Sequence, residues 1–218
     1  MEMKKDRTGR NLNTSEYWNE VYKRENESGD IVKSNYHRNY KNVFKKAVEL
    51  IPDGSSVLDV ACGSGIFCRL LKKKRPACDV TGIDFSDYII ARNKEEDKNS
   101  DIKYLQCDIR KKMPFNKKFD VIVMSEIIEH FKQPEKILEN VIGSLKKGGL
   151  LFANCPHDED VHYWMERNDV MGEHQAIITH DSLFHMLANY SDEVRYIKLR
   201  PLRPEWHDWH IFAYIKKV

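Results

Sequence analysis

The stretch VLDVACGSGIF, at residues 57–67, constrains the fold of this 218-residue chain more than any other part of it. It begins with apolar and β-branched residues, the composition of a strand that is buried on both faces of a parallel sheet. Gly63 and Gly65 then interrupt the run, and a helical pattern begins at Ile66. A strand, a glycine turn and a helix in this order open a βαβ nucleotide-binding unit, in which glycine leaves room for a ligand against the backbone.

The residues of the turn exclude two common nucleotide sites. The dinucleotide fingerprint G-x-G-x-x-G needs a third glycine, and Cys68 stands at that position. A P-loop is excluded because the chain has no G-x-x-x-x-G-K-[ST] sequence. Instead, Asp59 lies within the strand that precedes the turn. A buried carboxylate is costly unless it has partners, and either a ligand ammonium group or N–H groups of the turn would supply them.

Two further acids follow the next two predicted strands. Asp84 ends the strand at residues 79–84, and an acid at this point of a βαβ unit can accept hydrogen bonds from both hydroxyls of a ribose. The alternative is that Asp84 caps the helix that begins near Ser86. Asp108 follows the strand at residues 102–107. Because parallel strands have their carboxyl ends at one edge of the sheet, the three acids are predicted to frame one ligand.

These stretches together resemble the motifs of class I S-adenosylmethionine (SAM) methyltransferases. Residues 57–65 resemble motif I, hydrophobic-L-D-hydrophobic-G-x-G-x-G, with Ala61 in place of the first glycine. The sequence GIDFS at residues 82–86 is similar to the ribose motif of that family. The sequence SEIIEH at residues 125–130 resembles motif IV and the E-x-x-E-H segment of small-molecule methyltransferases, and LKKGGLL at residues 145–151 resembles a later family motif.

The resemblance implies that SAM, which leaves as S-adenosylhomocysteine (SAH), binds at this edge of the sheet. Asp84 would bind the ribose, Phe85 would pack on the adenine and Asp108 would accept from the adenine amino group. The residues after the fourth strand would lie beside the methionine part of the cofactor. The implied cofactor-binding residues are Tyr17, Trp18, Asp59, Ala61, Cys62, Gly63, Gly65, Asp84, Phe85, Ser86, Cys107, Asp108, Ile109, Ser125 and Glu126.

The N-terminal residues 1–50 are predicted to form a helical lid over the cofactor. The pattern favours two helices, at residues 14–22 and about 36–50, joined by a charged linker. In the family that the chain resembles, such segments cover SAM. Tyr17 and Trp18 could then contact the sulfonium, because aromatic faces attract cations. Packing within the lid explains these two residues equally well.

The alternation of helices and strands predicts an α/β fold with one Rossmann-like sheet and helices on both of its faces. The sheet is expected to have seven mostly parallel strands, and the last one, near residues 210–215, is expected to be antiparallel. We predict a single domain at residues 1–218. Its cofactor-binding core would be residues 51–155, and residues 156–218 would supply substrate-side loops and the last strands.

Histidines are concentrated near the predicted acceptor side, including a polar run at residues 155–162 that reads as a functional loop. Methyl transfer is a displacement at an activated carbon, so the enzyme mainly aligns its substrates. A hydroxyl acceptor must also lose a proton, which histidine can take. His130 is the first candidate for this base, by resemblance, and His157 and His174 follow. A hydrogen bond to loop backbone explains any one of them equally well. We expect no metal, because no H-x-x-x-H helix or cysteine pair is present.

Composition and charge limit the kinds of partner that the chain is expected to bind. The net charge of +2 and the scattered lysines argue against a nucleic-acid partner. No apolar run has transmembrane length, and the five cysteines form no C-x-x-C pair, so we expect a cytoplasmic protein with reduced thiols and no membrane partner. The predicted function is SAM-dependent methyl transfer to a small-molecule acceptor, preferably a hydroxyl oxygen, by a monomer or homodimer. The alternatives are a protein or tRNA methyltransferase and a non-catalytic SAM-binding module.

Overall fold

The computed structural model describes Leu12 and residues 14–28, 41–156, 176, 178–199 and 210–218. Seven strands in this part of the chain form one sheet. They are β1 (Ser56–Val60), β2 (Asp79–Asp84), β3 (Lys103–Gln106), β4 (Phe119–Ser125), β5 (Leu145–Pro156), β6 (Val194–Leu199) and β7 (His210–Lys216).

The strand order is β3-β2-β1-β4-β5-β7-β6, and β7 runs antiparallel to both of its neighbours while the other pairs are parallel. The predicted α/β fold with an antiparallel last strand is therefore confirmed. The order reverses between β1 and β4, which makes the crevice beyond their carboxyl ends a topological switch point. Ligands of open α/β sheets bind at such points.

Helices cover both faces of the sheet because the strand side chains alternate between two buried clusters. Val57 and Val121 belong to one cluster, and their neighbours Leu58 and Ile122 belong to the other. One face is covered by α2 (Lys41–Leu50), α3 (Ile66–Lys74) and α4 (Asp87–Glu96), and the opposite face by α5 (Pro134–Ile142) and α6 (His180–Ala188). No helix among the described residues is both long enough and apolar enough to cross a membrane.

The first helix, α1 (Ser15–Ser28), is longer than predicted, because it continues through the segment that the sequence suggested was a charged linker. Thr14 caps it, with its hydroxyl accepting from the N–H of Tyr17 at 3.1 Å. The second half is held by α4. Asn26 donates to the hydroxyl of Tyr88 at 3.2 Å, and the ammonium of Lys23 lies 5.6 Å from the centre of the Tyr88 ring. Part of the second predicted helix, residues 36–40, lies outside the described residues.

The sequence predicts a helix at residues 134–145, a turn at residues 147–149 and a fifth strand at residues 150–154, and the strand is longer than this. The Lys-Gly-Gly segment before it does not form a separate turn, because Gly148 takes a positive φ of 75° within β5 and the pairing with β4 shifts register there. The preceding helix accordingly ends at Ile142, three residues earlier than expected. At its other end β5 includes Cys155 and Pro156, which the sequence assigned to a loop.

Candidate functional site

The backbone is strained at the carboxyl ends of the two strands that flank the switch point. Ala61 follows β1 with a φ of 57°, and Glu126 follows β4 with a φ of 53°. These are the non-glycine residues with positive φ in the described part of the chain. A left-handed conformation costs an L-residue roughly 1–2 kcal/mol. Such strain persists where the surrounding structure fixes it, and it is commonly found at functional sites.

The glycine turn after β1 has the geometry that the sequence predicts. Gly63 and Gly65 have φ values of 48° and 75°, and the turn closes with a hydrogen bond of 2.9 Å from the Gly65 N–H to the Cys62 carbonyl. A Cβ on Gly65 would lie 2.6 Å from the hydroxyl oxygen of Tyr104. The amide of Asn93 donates to the Gly63 carbonyl at 2.7 Å and ties the turn to α4. Both the φ values and the lack of space therefore require glycine here.

Asp84 is fixed at the end of β2 by backbone donors. Its carboxylate accepts from the N–H of Gly63 at 2.9 Å and from the N–H of Ser86 at 3.0 Å, and its side chain is buried. Burial raises the pKa of this carboxyl, while the backbone hydrogen bonds and one from the side chain of Tyr22 act to lower it. The alternative role of helix cap belongs to Ser86, whose hydroxyl accepts from the N–H of Ile89 at 3.1 Å. Asp84 is thus rigidly held and already binds a hydroxyl donor.

Asp59 has a different environment. Its carboxylate is 3% exposed and accepts from the thiol of Cys68 at 3.2 Å, while the nearby N–H of Gly63 donates to Asp84. Burial raises the pKa of Asp59 to about 7, and the charge of Asp84 acts in the same direction. Asp59 lines a partly open cavity, together with Ala61 and Ser125. This cavity therefore joins the carboxyl end of β1 to that of β4.

The third predicted acid, Asp108, is paired with an arginine. It accepts from the backbone N–H of Arg110 at 3.1 Å and from its guanidinium at 2.8 and 2.9 Å. Burial acts to raise the pKa of Asp108, but the hydrogen bonds from Arg110 outweigh it and hold this pKa below the ordinary value. The same guanidinium lies 4.7 Å from the centre of the Phe85 ring. The neighbours Cys107 and Ile109 have their side chains in the hydrophobic core.

Helix α1 crosses the carboxyl edge of the sheet above these residues. Asn19 accepts from the Ser86 hydroxyl at 2.5 Å and donates to Asp87 at 2.5 Å. A Cβ on Gly63 would lie 3.4 Å from the hydroxyl oxygen of Tyr22. The helix thus lies against both the glycine turn and the end of β2.

The other side of α1 faces the turn that follows β4. The ring of Trp18 meets the ring of His130 edge-on at 5.5 Å between centroids, and Tyr17 packs on Trp18 at 5.7 Å. His130 ends the short 3₁₀ turn Ile128–His130. The other two histidines predicted to act as bases, at positions 157 and 174, lie outside the described residues.

A polar cluster at the ends of β4 and β5 holds Ser125 and Glu126. Asn154 accepts from the Ser125 hydroxyl at 2.7 Å and donates to the Glu126 carboxylate at 2.5 Å. Its carbonyl also accepts from the Glu126 N–H at 2.9 Å. Within the described ranges, no group of three or more His, Cys, Asp or Glu side chains is arranged to hold a metal ion.

Our sequence reasoning missed several residues of this site, namely Tyr22, Asn93, Arg110, Glu129 and Asn154. Asn154 carries a usable signal, since it is a polar residue that ends an apolar strand run. Glu129 is the second acid of the E-x-x-E-H segment, but nothing in the sequence shows that its carboxyl is buried. That burial raises its pKa well above the ordinary value, and the charge of Glu126 adds to the effect.

Comparisons with known proteins agree with this geometry. The family model of the methyltransferase domain matches residues 32–194. The ubiquinone biosynthesis O-methyltransferase of Coxiella burnetii is 36% identical over 101 residues, which cover 45% of this chain and 42% of that enzyme. The chain therefore spans less than half the length of that curated relative.

Two solved structures share the fold at low sequence identity. The Haloferax volcanii methyltransferase in complex with the activator Trm112 has a TM-score of 0.71 at 17% identity, with 91% of this chain and 96% of that chain covered. The N-methyltransferase NodS of Bradyrhizobium japonicum WM9, in complex with SAH, has a TM-score of 0.61 at 19% identity, with 90% and 87% covered. From the family model, the glycine turn and the strand order together, the chain belongs to the methyltransferase domain family.

Proposed function

We propose that this protein transfers a methyl group from SAM to a small-molecule acceptor, with a hydroxyl oxygen as the accepting atom, and releases SAH. The observation that carries the proposal is the Asp84 carboxylate. Backbone N–H groups of Gly63 and Ser86 fix it, and it accepts from the hydroxyl of Tyr22 beside the glycine turn. A carboxylate with this support suits the two hydroxyls of a ribose.

The remaining cofactor residues are assigned by their positions along the same edge. Phe85 and Asp108 would bind the adenine. Arg110 now contacts both the Phe85 ring and the Asp108 carboxylate, so it would have to move away or share these contacts with the adenine. The cavity between β1 and β4 would take the methionine part, with Asp59 as the partner of its ammonium group. A nearby ammonium would return Asp59 to its charged form, because opposite charge lowers a carboxyl pKa.

SAM supplies a methyl group that is already activated by the sulfonium, so the protein mainly orients the acceptor and receives its proton. His130 is our candidate for the proton acceptor, since it lies on the turn after β4 and packs against Trp18 of the covering helix. His157 and His174 are the other candidates for this role. Trp18 and Tyr17 would close the site above the reacting groups.

The acceptor class rests on relatives. The C. burnetii relative is named for O-methylation in ubiquinone biosynthesis, and NodS is named as an N-methyltransferase. A hydroxyl acceptor is consistent with a histidine base, because a neutral amine does not need to lose a proton before it attacks.

Calorimetric titration with SAH tests the cofactor assignment. We expect Asp84→Asn to weaken SAH binding about tenfold or more, the loss of charge-assisted hydrogen bonds being roughly 1.5–3 kcal/mol. Asp79→Asn is the matched control, because Asp79 lies at the opposite end of the same strand and pairs with Lys103 and Lys117. Equal SAH affinity of the two variants would refute the ribose assignment.

A transfer assay with radiolabelled SAM tests the acceptor class. We expect methylation of phenols rather than of matched anilines, tRNA or protein. Transfer to tRNA or protein alone would favour the macromolecular alternative. Tight SAH binding with no transfer to any of these acceptors would favour a non-catalytic binding module.

A further inference from the structure

Arg69 connects the glycine turn to the end of α4 through its guanidinium group. It lies in the first turn of α3 and donates to the backbone carbonyl of Ser64 at 2.5 Å. It also donates to the two carboxylate oxygens of Asp97, the residue that follows α4, at 3.0 and 3.1 Å. Glu96 accepts from it at 2.6 Å. One side chain thus joins the middle residue of the turn to the C-terminal end of α4.

The turn needs such a restraint because its two glycines make it flexible. Gly63 and Gly65 flank Ser64, and glycine has more backbone freedom than any other residue. A peptide unit is planar, so fixing its carbonyl also fixes the direction of its N–H. Arg69 fixes the unit that follows Ser64, and the amide of Asn93 fixes the unit that precedes it, through the Gly63 carbonyl. Both peptide units of Ser64 are therefore held by side chains.

The partners of Arg69 are themselves held in place. Asp97 also accepts from the hydroxyl of Tyr104 at 2.8 Å, and Asn93 accepts from the guanidinium at 3.2 Å. Asn93 and Tyr104 are buried, and the side chain of Asp97 is 12% exposed. Isolated ion pairs on a protein surface contribute little, whereas charge-assisted hydrogen bonds within a partly buried network are stronger. The guanidinium is therefore fixed in one orientation against the turn.

The residue that Arg69 holds borders the proposed cofactor site. Ser64 lines the cavity that contains Asp59, the proposed subsite of the methionine part of SAM. At the start of the turn, the N–H of Gly63 donates to Asp84, the residue proposed to bind the ribose. The turn thus contacts both subsites, and a change in the orientation of its peptide units would alter both.

We propose that Arg69 is a positioning residue for the cofactor, because its guanidinium keeps the glycine turn in the conformation that binds SAM. This inference rests on the proposed use of SAM as the methyl donor. The competing explanation is a purely structural one, in which Arg69 only ties α3 to α4 and the turn keeps its conformation without it.

Comparing Arg69→Met with Lys72→Met separates these explanations. Methionine keeps the apolar stem of either side chain and removes its donors. Lys72 is the matched control because it lies on the same helix and pairs with Asp101 at 2.7 Å. It also donates to two backbone carbonyls, but these belong to Pro76 and Cys78, in the loop that follows α3, at 2.7 and 2.8 Å.

SAH affinity is measured by calorimetry at a temperature at which all the proteins are folded. We expect Arg69→Met to bind SAH roughly tenfold more weakly than the wild type, as for the loss of one charge-assisted hydrogen bond that holds the turn. Lys72→Met should bind SAH as the wild type does, although both variants should have lowered melting temperatures.

Amide hydrogen exchange at Gly65, without SAH, gives a readout that a general loss of stability would not reproduce. This N–H belongs to the peptide unit that Arg69 fixes, and it donates to the Cys62 carbonyl at 2.9 Å. We expect it to exchange roughly tenfold faster in Arg69→Met than in Lys72→Met, because the turn would open locally.

If Arg69→Met shows no cooperative unfolding, Arg69→Lys replaces it, with weaker SAH binding expected again. Lysine keeps the positive charge but lacks the planar fork that contacts Ser64 and Asp97 together. SAH binding by the folded Arg69 variant equal to that of the wild type or of Lys72→Met, or equal exchange at Gly65 in the Arg69 and Lys72 variants, would overturn the positioning role and leave the proposed function standing. Absence of SAH binding in the wild type would overturn both.

Discussion

Replacing Gly65 by alanine tests whether the glycine turn must be as tight as it is, and Gly54→Ala is a closely matched control. The two glycines have nearly the same positive φ, 75° at Gly65 and 74° at Gly54. A Cβ at Gly54 would meet nothing within 4 Å. A Cβ at Gly65 would lie 2.6 Å from the Tyr104 hydroxyl and 3.2 Å from the Asn93 amide oxygen. The pair therefore separates backbone strain from the lack of space.

Neither neighbour of Gly65 can move away freely. The Tyr104 hydroxyl donates to Asp97 at 2.8 Å, and Asn93 donates to the Gly63 carbonyl at 2.7 Å. We expect Gly54→Ala to lower the free energy of unfolding by roughly 1–2 kcal/mol, the cost of the left-handed conformation alone. Gly65→Ala should lose about 1–3 kcal/mol more from overpacking, which lowers the melting temperature by roughly a further 2–4 °C per kcal/mol.

Calorimetric SAH titration and thermal unfolding measure both consequences. The displaced turn should also carry the Gly63 N–H away from Asp84, so Gly65→Ala should bind SAH roughly tenfold more weakly, as for the loss of one charge-assisted hydrogen bond. Gly54→Ala should bind SAH as the wild type does. Equal melting temperatures and equal SAH affinities of the two variants would refute the role of close packing at this turn.

Three further predictions concern single side chains. Tyr22→Phe should strengthen SAH binding about 2–10-fold, because the hydroxyl that now bonds Asp84 is removed. Weaker binding by calorimetry would instead mean that the Tyr22 hydroxyl contributes to binding SAH. His130→Ala should lower turnover about 100-fold or more while SAH affinity stays near that of the wild type, with exposed His185→Ala as control; a parallel loss of both would mean a structural role. Because the pKa of Asp59 is raised to about 7, folding favours its protonated form, so its contribution to stability falls as pH rises from about 4 to 7. Asp59→Asn should not lose this stability as pH rises. If the melting temperature of the variant depends on pH as that of the wild type does, the raised pKa of Asp59 is contradicted.

The parts of the site that sequence alone predicts are those determined by neighbouring residues. The strand, the turn and Asp59 lie within a few residues of one another, and Asp84 follows in the next strand with the spacing of a βαβ unit. Apolar runs also predict the central strands β1 and β4, because their side chains are buried on both faces of the sheet. Local pattern is sufficient for these features.

Contacts between distant segments could not be predicted in this way. The charged half of α1 becomes helical against Tyr88, more than 60 residues away in the chain. Likewise, burial of Glu129 depends on how the 3₁₀ turn packs beside the end of β5. The extension of β5 depends on the bulge that Gly148 permits, and glycine pairs in sequence more commonly indicate a turn.

The contacts of Tyr22 and Arg110 bear on how a cofactor could enter. Tyr22 donates to Asp84, and Arg110 covers Phe85 and binds Asp108, so protein side chains now contact the groups proposed for ribose and adenine. A ribose hydroxyl that displaced Tyr22 would exchange one hydrogen bond for another, which contributes little to affinity. The net gain would come from the second hydroxyl and from adenine packing. Because Tyr22 lies on α1, this exchange would couple cofactor entry to movement of the helix that also carries Trp18 to His130.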